Sequence, residues 1–587
     1  MILHALTELY GRLQNDPAYE VAPPGYSPQK ITFKVILRTD GSLVSIEDAR
    51  DFSQGSRPVP RQELVLGSTK PSGPGINPCF LWDNSGYMLG FKPDDQQSDR
   101  TRETFEAFRR LHLEREDEIE VREFSAVCRF LEEWHPDEAS EFEVLSDAAT
   151  TGFGVFQILG QTQLVHQHPA IDRWWQVGLS KKDHGPEGQC LVTGRTGPLA
   201  RIHGKVKGVK GAQSSGAALV GFNDPAYESY GRNQSFNAPV SKEAAFGYVT
   251  ALNALLSGPK RDKHRLLLAD STLVFWTDRP SPLEDIFLQF VEHGSEAPER
   301  VESQDEAQRQ RMHALLEAVR QGRLTLENLG PDQGGTRVFI LGLSPNAARV
   351  SVRFFHQEYA SDLIRKVHRH HRDIGLEPVP PRGQSRGDSE FPSVMQLLTQ
   401  TARDSKDIPP MLEGPLLRAV LMGTDYPHAL FAAVIRRIRA DRTINYLRCC
   451  TLKGYLIRNL NLEVSMALDH ERTEPAYRLG RLFAALEKTQ KDALGGNLNK
   501  TIRDGFYSSA SATPGSVFPR LLRTYQHHLA KLDGGFRVNR ERLVQEIFSP
   551  LEGFPGNLSM SEQGLFAIGY YHQMQDFYTK NSNDTDQ

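Results

Sequence analysis

The apolar positions change rhythm several times along the chain. Ile2, Leu3, Leu6, Leu9 and Leu13 recur at three- and four-residue spacing, which predicts an amphipathic helix. Residues 31–37 (ITFKVIL) and 43–46 then cluster apolar side chains on either side of Asp40-Gly41, a hairpin signal. Residues 81–91 (LWDNSGYMLGF) read as a strand with a turn. Residues 101–134 return to helical spacing, rich in Glu and Arg, and predict a helical insertion with a solvated charged face. Strand-like alternation resumes at 152–165, and a helix is expected to start near 171–176. Ser241 caps a helix whose apolar face carries Phe246, Val249, Leu252 and Leu256. Two short strands are predicted within 266–277, and residues 280–327 read as acidic and helical. Residues 336–343 and 348–355 predict a strand pair joined by a turn at Ser344-Pro345-Asn346. Arg349 and Arg353 lie on the polar face of that pair and suit internal pairing better than RNA contact.

From about residue 360 the strand signals cease. Helices are predicted near 392–403, 415–422, 426–439, 442–458, 475–492, 498–509, 514–532, 540–548 and 560–578. Turns are expected at Gly414-Pro415, Gly495-Gly496 and Gly534-Gly535, and residues 381–388 (PRGQSRGD) read as a linker. The expected fold is an α+β region with antiparallel strands and a helical insertion over residues 1–380. An all-α helical bundle follows over 381–587.

At 587 residues the chain exceeds what one core supports, so two or three domains are expected. The formal net charge of −4 excludes a uniformly basic nucleic-acid coat; any contact with nucleic acid must come from local patches. The five cysteines are scattered and form no CxxC pair, which points to neither a disulfide framework nor a structural zinc site. Cys449 and Cys450 read as packing residues in a helix. His166, His168, His184 and His203 match no helix-borne ligand spacing, so no metal and no cofactor is expected. No apolar run reaches transmembrane length and no signal peptide is visible, so a cytoplasmic protein without a membrane partner is expected. Walker A, HExxH, kinase and GxSxG patterns are all missing.

The most distinctive stretch is 201–240. Between Gln189 and Asn223 there is no Asp or Glu, while Arg195, Arg201, Lys205, Lys207 and Lys210 supply five positive charges. Lys205, Lys207 and Lys210 alternate with Gly204, Gly208 and Gly211, and Gln213, Ser214 and Ser215 follow. Such a loop suits a polyanion: glycine admits close backbone approach, lysine meets phosphate, and the small polar side chains donate to phosphate or base edges. The plainer alternative is a solvated loop between two strands. An apolar strand-like segment, 217–222, closes it.

Four blocks resemble the large subunit of the type I-C CRISPR Cascade surveillance complex. They are MILHALTELYGRL at the start, LWDNSGYMLG at 81–90, FILGLSPNAARVSVRFF at 339–355, and the long run GKVKGVKGAQSSGAALVGFNDPAYESYGRNQSFNAPVSKEAAFGYVTALNALL ending at Leu256. The resemblance implies a non-catalytic subunit that reads a short protospacer-adjacent motif in duplex DNA. It also implies that the subunit helps open that duplex and recruits a separate helicase-nuclease, while guide pairing supplies sequence specificity. It implies as partners the guide RNA, the double-stranded target and its displaced single strand, the backbone and handle-binding subunits, and small subunits.

Residue chemistry places Lys210, Gly211, Gln213, Ser214 and Ser215 at the motif, with Lys205 and Lys207 on the backbone. Lys70, Ser72 and Asn77 in the Gly/Pro-rich stretch 67–78, and Arg232, Asn233 and Asn237 among the aromatics Tyr227, Tyr230 and Phe236, come second. One helical stretch is lopsidedly basic: Arg436, Arg437, Arg439, Arg442, Arg448, Lys453 and Arg458 stand against Asp441 alone, which suits a single-strand track although a charge run is more often a solvated face. The family resemblance also implies an internally started small subunit; Met466 is the favoured start, with Met411 and Met422 as alternatives. Two other classes stay open: a metal-dependent nuclease with dispersed acidic ligands, and a pure protein scaffold.

Overall fold

A computed structural model describes residues 1–52, 58–68, 70, 75–93, 95–147, 152–181, 186–268, 271–285, 287, 335–380, 391–495 and 498–583. The expected linker 381–388 and most of the acidic stretch 280–327 lie outside the described residues, as does Ser72. The chain packs as two units, Met1–Lys205 with Val220–Ala254, and Val206–Leu219 with Leu255–Gln587.

In the first unit the helix Ile2–Leu13 precedes a sheet built on β1 (Tyr26–Leu37). Antiparallel to β1 run β2 (Leu43–Asp48) and β3 (Arg61–Leu66); β5 (Phe153–Ile158) pairs with it in parallel, and β4 (Trp82–Asp83) pairs antiparallel with β5. The β1–β5 pair therefore departs from the antiparallel expectation: β2, β3, β4 and a helical crossover lie between the two strands, and the chain re-enters the sheet beside β1 in the same direction. The helical insertion expected at 101–134 is formed by two helices, Ser98–Leu113 and Arg122–Glu133. Their apolar faces are core: Phe105, Phe108, Phe124 and Phe130 pack with Phe33, Val35, Leu37 and Phe156. Burial of β1 on both faces explains its near-continuous apolar run. Residues 81–91 contain only the two strand residues of β4, then a helical turn Ser85–Met88; the Asn84 side chain accepts from the Tyr87 N–H, so Asn-Ser-Gly works as a helix start. A small hairpin follows, β6 (Glu187–Gln189) with β7 (Thr196–Pro198). The helix Lys242–Ser257 is capped by the Ser241 hydroxyl, which accepts from the Ala244 N–H.

The second unit carries a sheet in the order β10 (Arg265–Leu267), β11 (Thr272–Thr277), β12 (Arg337–Asn346), β13 (Arg349–Tyr359), β9 (Ala217–Ala218), β8 (Lys205–Val206). The β12–β13 strands run through Ser344, Pro345 and Asn346, so the turn falls later than expected, at Ala347-Ala348, with Ala347 in the left-handed region at φ 51°. Arg353 is paired internally, donating to the Ser344 hydroxyl at 2.7 Å. Beyond Tyr359 the described chain is helical: Ala360–Ile374, Val394–Thr399, Pro410–Met422, His428–Asp441, Tyr446–Leu460, Pro475–Leu494, Ile502–Ala512, Pro514–Leu529, Gly534–Phe548 and Met560–Asn583. Gly414-Pro415 lies inside a helix, in its second turn, where proline removes one intrahelical bond, and Gly534-Gly535 opens a helix. One apolar core joins Phe275, Val338 and Ile340 of the sheet to Leu363, Leu397, Leu416, Tyr446, Cys449 and Cys450 of the helices. The helices Pro475–Leu494 and Met560–Asn583 cross backbone to backbone. A Cβ on Gly480 would stand 2.0 Å from the Phe566 carbonyl oxygen, and one on Gly569 2.2 Å from that of Tyr477. Met466 is exposed, but Phe431, Val434, Ile435, Leu452 and Leu456 share a core with the helices after it. Among the described residues no helix is long and apolar enough to cross a membrane.

His112 ties the first unit's helices to β4. Its Nδ1 lies 2.8 Å from the Phe108 carbonyl and its Nε2 accepts from the Leu81 N–H at 2.9 Å, an arrangement that only the neutral ring satisfies. Burial holds it at about 4 against an ordinary 6.5. Because the folded value is depressed, the stabilisation is fully present above 6.5 and is lost as pH falls toward 4. At about pH 5 the loss attributable to this ring is about 2 kcal/mol. We expect His112→Gln, whose amide oxygen can still accept from Leu81, to show a shallower fall of melting temperature between about pH 7 and about pH 5 than the wild type. Identical slopes would remove His112 from this account.

Candidate nucleic-acid interface

The stretch 205–218 is built by alternation. Val206, Val209 and Ala217 point inward and are buried, whereas Lys205, Lys210, Gln213, Ser214 and Ser215 are exposed and Lys207 is half-buried. Two consecutive four-residue turns shape it, closed by Ala212 N–H on the Val209 carbonyl at 3.1 Å and Gly216 N–H on the Gln213 carbonyl at 2.9 Å. Gly208, Gly211 and Gly216 all have φ between 78° and 92°. At Gly208 the glycine is obligatory, since a Cβ there would stand 2.8 Å from the Leu256 carbonyl oxygen. The segment 217–222 is less of a strand than its apolar character suggested: only Ala217–Ala218 pairs, against Arg349 of β13. Lys210 is held at both ends. Its N–H donates to the Thr272 hydroxyl and its Nζ to the Leu268 carbonyl, each at 2.9 Å. Thr272 and the Leu268 carbonyl are positioning groups that sequence reading missed, because they arrive from β11 and the loop before it.

Lys70 sits differently. Its ammonium forms an ion pair with Asp83, whose side chain is 0% exposed, donates to the Asn77 carbonyl at 3.1 Å and lies 3.3 Å from the centre of the Tyr87 ring. Asp83 also accepts from the backbone N–H groups of Cys79 at 3.0 Å and Asn84 at 2.7 Å. Burial pushes the Asp83 carboxyl above its usual range, against the pull of Lys70. Asn77 meets this cluster through its backbone, its N–H donating to the Tyr87 hydroxyl at 3.1 Å. The cue in the sequence was an aspartate inside the apolar run LWD.

Of the aromatic loop, Arg232 and Asn233 are exposed. Asn237 is spent internally: its Oδ1 accepts from the Ser229 N–H at 2.8 Å and its Nδ2 donates to the carbonyls of Arg232 and Gln234 at 2.6 and 2.8 Å.

The basic run of the helices divides by burial. Arg448 is buried and doubly paired with Asp441 at 2.6 and 2.8 Å, and Arg437 reaches the same carboxylate at 2.7 Å. Lys453 is buried on the Gly375 carbonyl, and burial pulls its ammonium down to about 8. Arg458 is buried on Asp373 at 2.8 Å. Arg436, Arg439 and Arg442 remain exposed, with no ion pair among the described residues. A second basic row was overlooked. Arg520, Arg523, His527 and Lys531 share the exposed face of Pro514–Leu529 and its extension, and no acid occurs between Asp504 and Asp533. The helix Ile502–Ala512 joins the two rows: the Ser508 hydroxyl donates to the Arg439 carbonyl at 2.9 Å, and the Arg520 guanidinium lies 5.3 Å from the Phe506 ring. The long acid-free stretch was the available signal. Among the described residues no group of three or more His, Cys, Asp or Glu side chains could hold a metal ion.

The chain belongs to the CRISPR-associated protein (Cas_Csd1) family, which matches residues 6–578. This is the large-subunit family of type I-C CRISPR systems, so the chain is a Cascade component whose company is other Cascade subunits and nucleic acids. No curated protein matches it.

The Lys70–Asp83 pair yields a test of anchoring. Lys70→Met strands a buried carboxylate and is expected to cost about 3 kcal/mol of stability. Adding Asp83→Asn, which removes the buried charge and keeps an acceptor for one of the two backbone N–H groups, should recover part of it. Thermal melts of both variants check this; additive losses would mean that the two side chains are not coupled.

Proposed function

We propose that this large subunit reads the protospacer-adjacent motif of duplex target DNA with the loop around Lys210, Gly211, Gln213, Ser214 and Ser215. It then promotes opening of the duplex and R-loop formation, holds the displaced strand along the basic helices, and recruits a separate helicase-nuclease, performing no chemistry itself. Guide RNA pairing supplies the remaining specificity, and the backbone, handle-binding and small subunits complete the complex.

The observation that most supports this reading is the pinned backbone of the loop. Apolar anchors and left-handed glycines fix the chain while the polar side chains face solvent. Lysine and amide or hydroxyl side chains recognise base edges only when held in register, because hydrogen bonds weaken steeply with angle. Lys70 enters as an anchor of its own stretch, since its release would leave Asp83 buried and unpaired. Arg232 and Asn233 stay candidates for contact, and Asn237 supports them from within.

The decisive experiment compares binding of the assembled, guide-loaded complex to matched duplexes with and without the flanking motif. Wild type should discriminate. A Lys210→Ala/Gln213→Ala/Ser214→Ala variant should lose discrimination by at least about tenfold, the effect of removing even one base contact worth about 1–3 kcal/mol. Equal discrimination by both proteins would place the reader elsewhere. Magnesium-dependent cleavage by the purified chain, abolished by chelation, would replace the reading with a nuclease; salt-insensitive assembly without motif dependence would replace it with a scaffold.

For the displaced strand, neutralising Arg436, Arg439, Arg520 and Arg523 to Gln should flatten the salt dependence of single-strand binding. The log–log slope should fall by about 0.7 for each lost phosphate contact. An unchanged slope would rule these two rows out.

A further inference from the structure

Tyr230 is the most conspicuous side chain that neither the core nor the loops above use. It is 100% exposed. It occupies the tip of a tight turn, Ser229–Arg232, closed by the Arg232 N–H on the Ser229 carbonyl at 3.0 Å. Both central residues are left-handed, Tyr230 at φ 53° and Gly231 at φ 68°, the signature of a type I′ turn. The first of those positions favours asparagine, aspartate or glycine, and an aromatic there works against the backbone.

The turn is nonetheless rigidly supported. Asn237 holds it through three hydrogen bonds, to Ser229, Arg232 and Gln234. Glu228 accepts from the Gln234 N–H at 3.0 Å, and Asp224 accepts from the Ala226 N–H at 2.9 Å, so both nearby carboxylates are engaged by the backbone. Arg232 beside the ring is exposed, as is Arg201, whose carbonyl accepts from the Ser235 N–H at 3.2 Å. Neither arginine makes an ion pair among the described residues. A ring carried on a stiff support into water, in a backbone conformation it disfavours, adds nothing to the folded chain itself. Its benefit has to lie in something that covers it.

We infer that Tyr230 is a stacking platform for an unpaired nucleobase, with Arg232 and Arg201 meeting the adjoining phosphates. This rests on the reading of the chain as a nucleic-acid-binding subunit and deepens it, by naming single-stranded nucleic acid as the ligand of this turn. A flat aromatic on a turn that also carries the exposed Arg232, with no ion pair among the described residues, fits a base and its phosphates. The inference is separate from motif reading by the Lys210 loop.

The test is fluorescence anisotropy of the purified full chain with a labelled oligothymidylate of about 15 nucleotides and with a blunt duplex of similar length. Tyr230→Ala is expected to weaken single-strand binding about tenfold and to leave duplex binding unchanged, because a paired base is not available to the ring. Tyr230→Phe should bind like wild type, since stacking does not need the hydroxyl. Tyr230→Asn should lose the same affinity as alanine while matching or exceeding the wild-type melting temperature, which separates loss of the ring from damage to the turn. Wild-type affinity in the alanine and asparagine variants, equal losses on duplex and single strand, or no measurable binding by wild type would each overturn the inference. So would failure of the alanine variant to assemble with the other subunits while its oligonucleotide affinity stays intact, because the ring would then be a protein contact. Motif discrimination in the guide-loaded complex is read independently, so either idea can fall alone.

Discussion

A cation taken out of water has to be matched, and this requirement sorts the positive charges of the chain. Lys70 is matched by Asp83, Arg448 by Asp441, Arg458 by Asp373, and Lys453 by the Gly375 carbonyl. Each match fixes where two segments sit relative to one another within a unit. Lys70 draws a Gly/Pro-rich stretch onto β4, and Arg458 clamps the helix Tyr446–Leu460 to Ala360–Ile374. Among the exposed cations that remain are Lys205 and Lys210 on the loop, Arg201 and Arg232 about the Ser229–Arg232 turn, Arg436, Arg439 and Arg442 at one helix end, and Arg520, Arg523 and Lys531 along another. The net charge of −4 conceals these rows because the acids that balance them lie elsewhere in the chain.

Within the loop, backbone geometry does the corresponding work. Lysines and hydroxyls are common on surfaces; a surface loop pinned by two buried valines three residues apart is less so. Val206 and Val209 bury the inward positions, Gly208 lets the chain pass the end of the helix Lys242–Ser257 at the Leu256 carbonyl, and Thr272 of β11 holds the Lys210 N–H. The donors are thereby set on a scaffold made of sheet and helix.

Local patterns were legible in the sequence and non-local ones were not. The hairpin about Asp40-Gly41, the Ser241 cap and the long helices after residue 360 depend on spacing within a few residues, and they lie where that spacing put them. The parallel β1–β5 pairing depends on what the crossover helices cover, which no short window contains. Burial of Arg448 and Lys453 was likewise hidden. The helix Tyr446–Leu460 is enclosed on nearly all sides, so its polar residues do not mark a solvent face, and charge counting mistook its buried arginines for surface. The row Arg520–Arg523–His527–Lys531 was legible, at helical spacing in an acid-free stretch, but it is sparser than the run beginning at Arg436. Glycine misled at Gly534-Gly535 because the pair opens a helix, whose first N–H groups have no intrahelical partner in any case; at Gly414-Pro415 the helix continues through the pair at the loss of one intrahelical bond.

The two kinds of exposed cation differ in a way that bears on what each can recognise. Lys210 is immobilised before any ligand arrives, its Nζ bound to the Leu268 carbonyl and its N–H to Thr272. Among the described residues the side chains of Arg436, Arg439, Arg523 and Lys531 have no such support. An immobilised donor loses little conformational entropy on binding and penalises a displaced acceptor, which is what discrimination between base edges requires. A free arginine adjusts to any phosphate within reach, which is what following a backbone of arbitrary sequence requires. On the proposed reading, selectivity belongs to the sheet-supported loop and tolerance to the helical rows. The physical distinction between them is whether the protein has already satisfied one hydrogen bond of each cation.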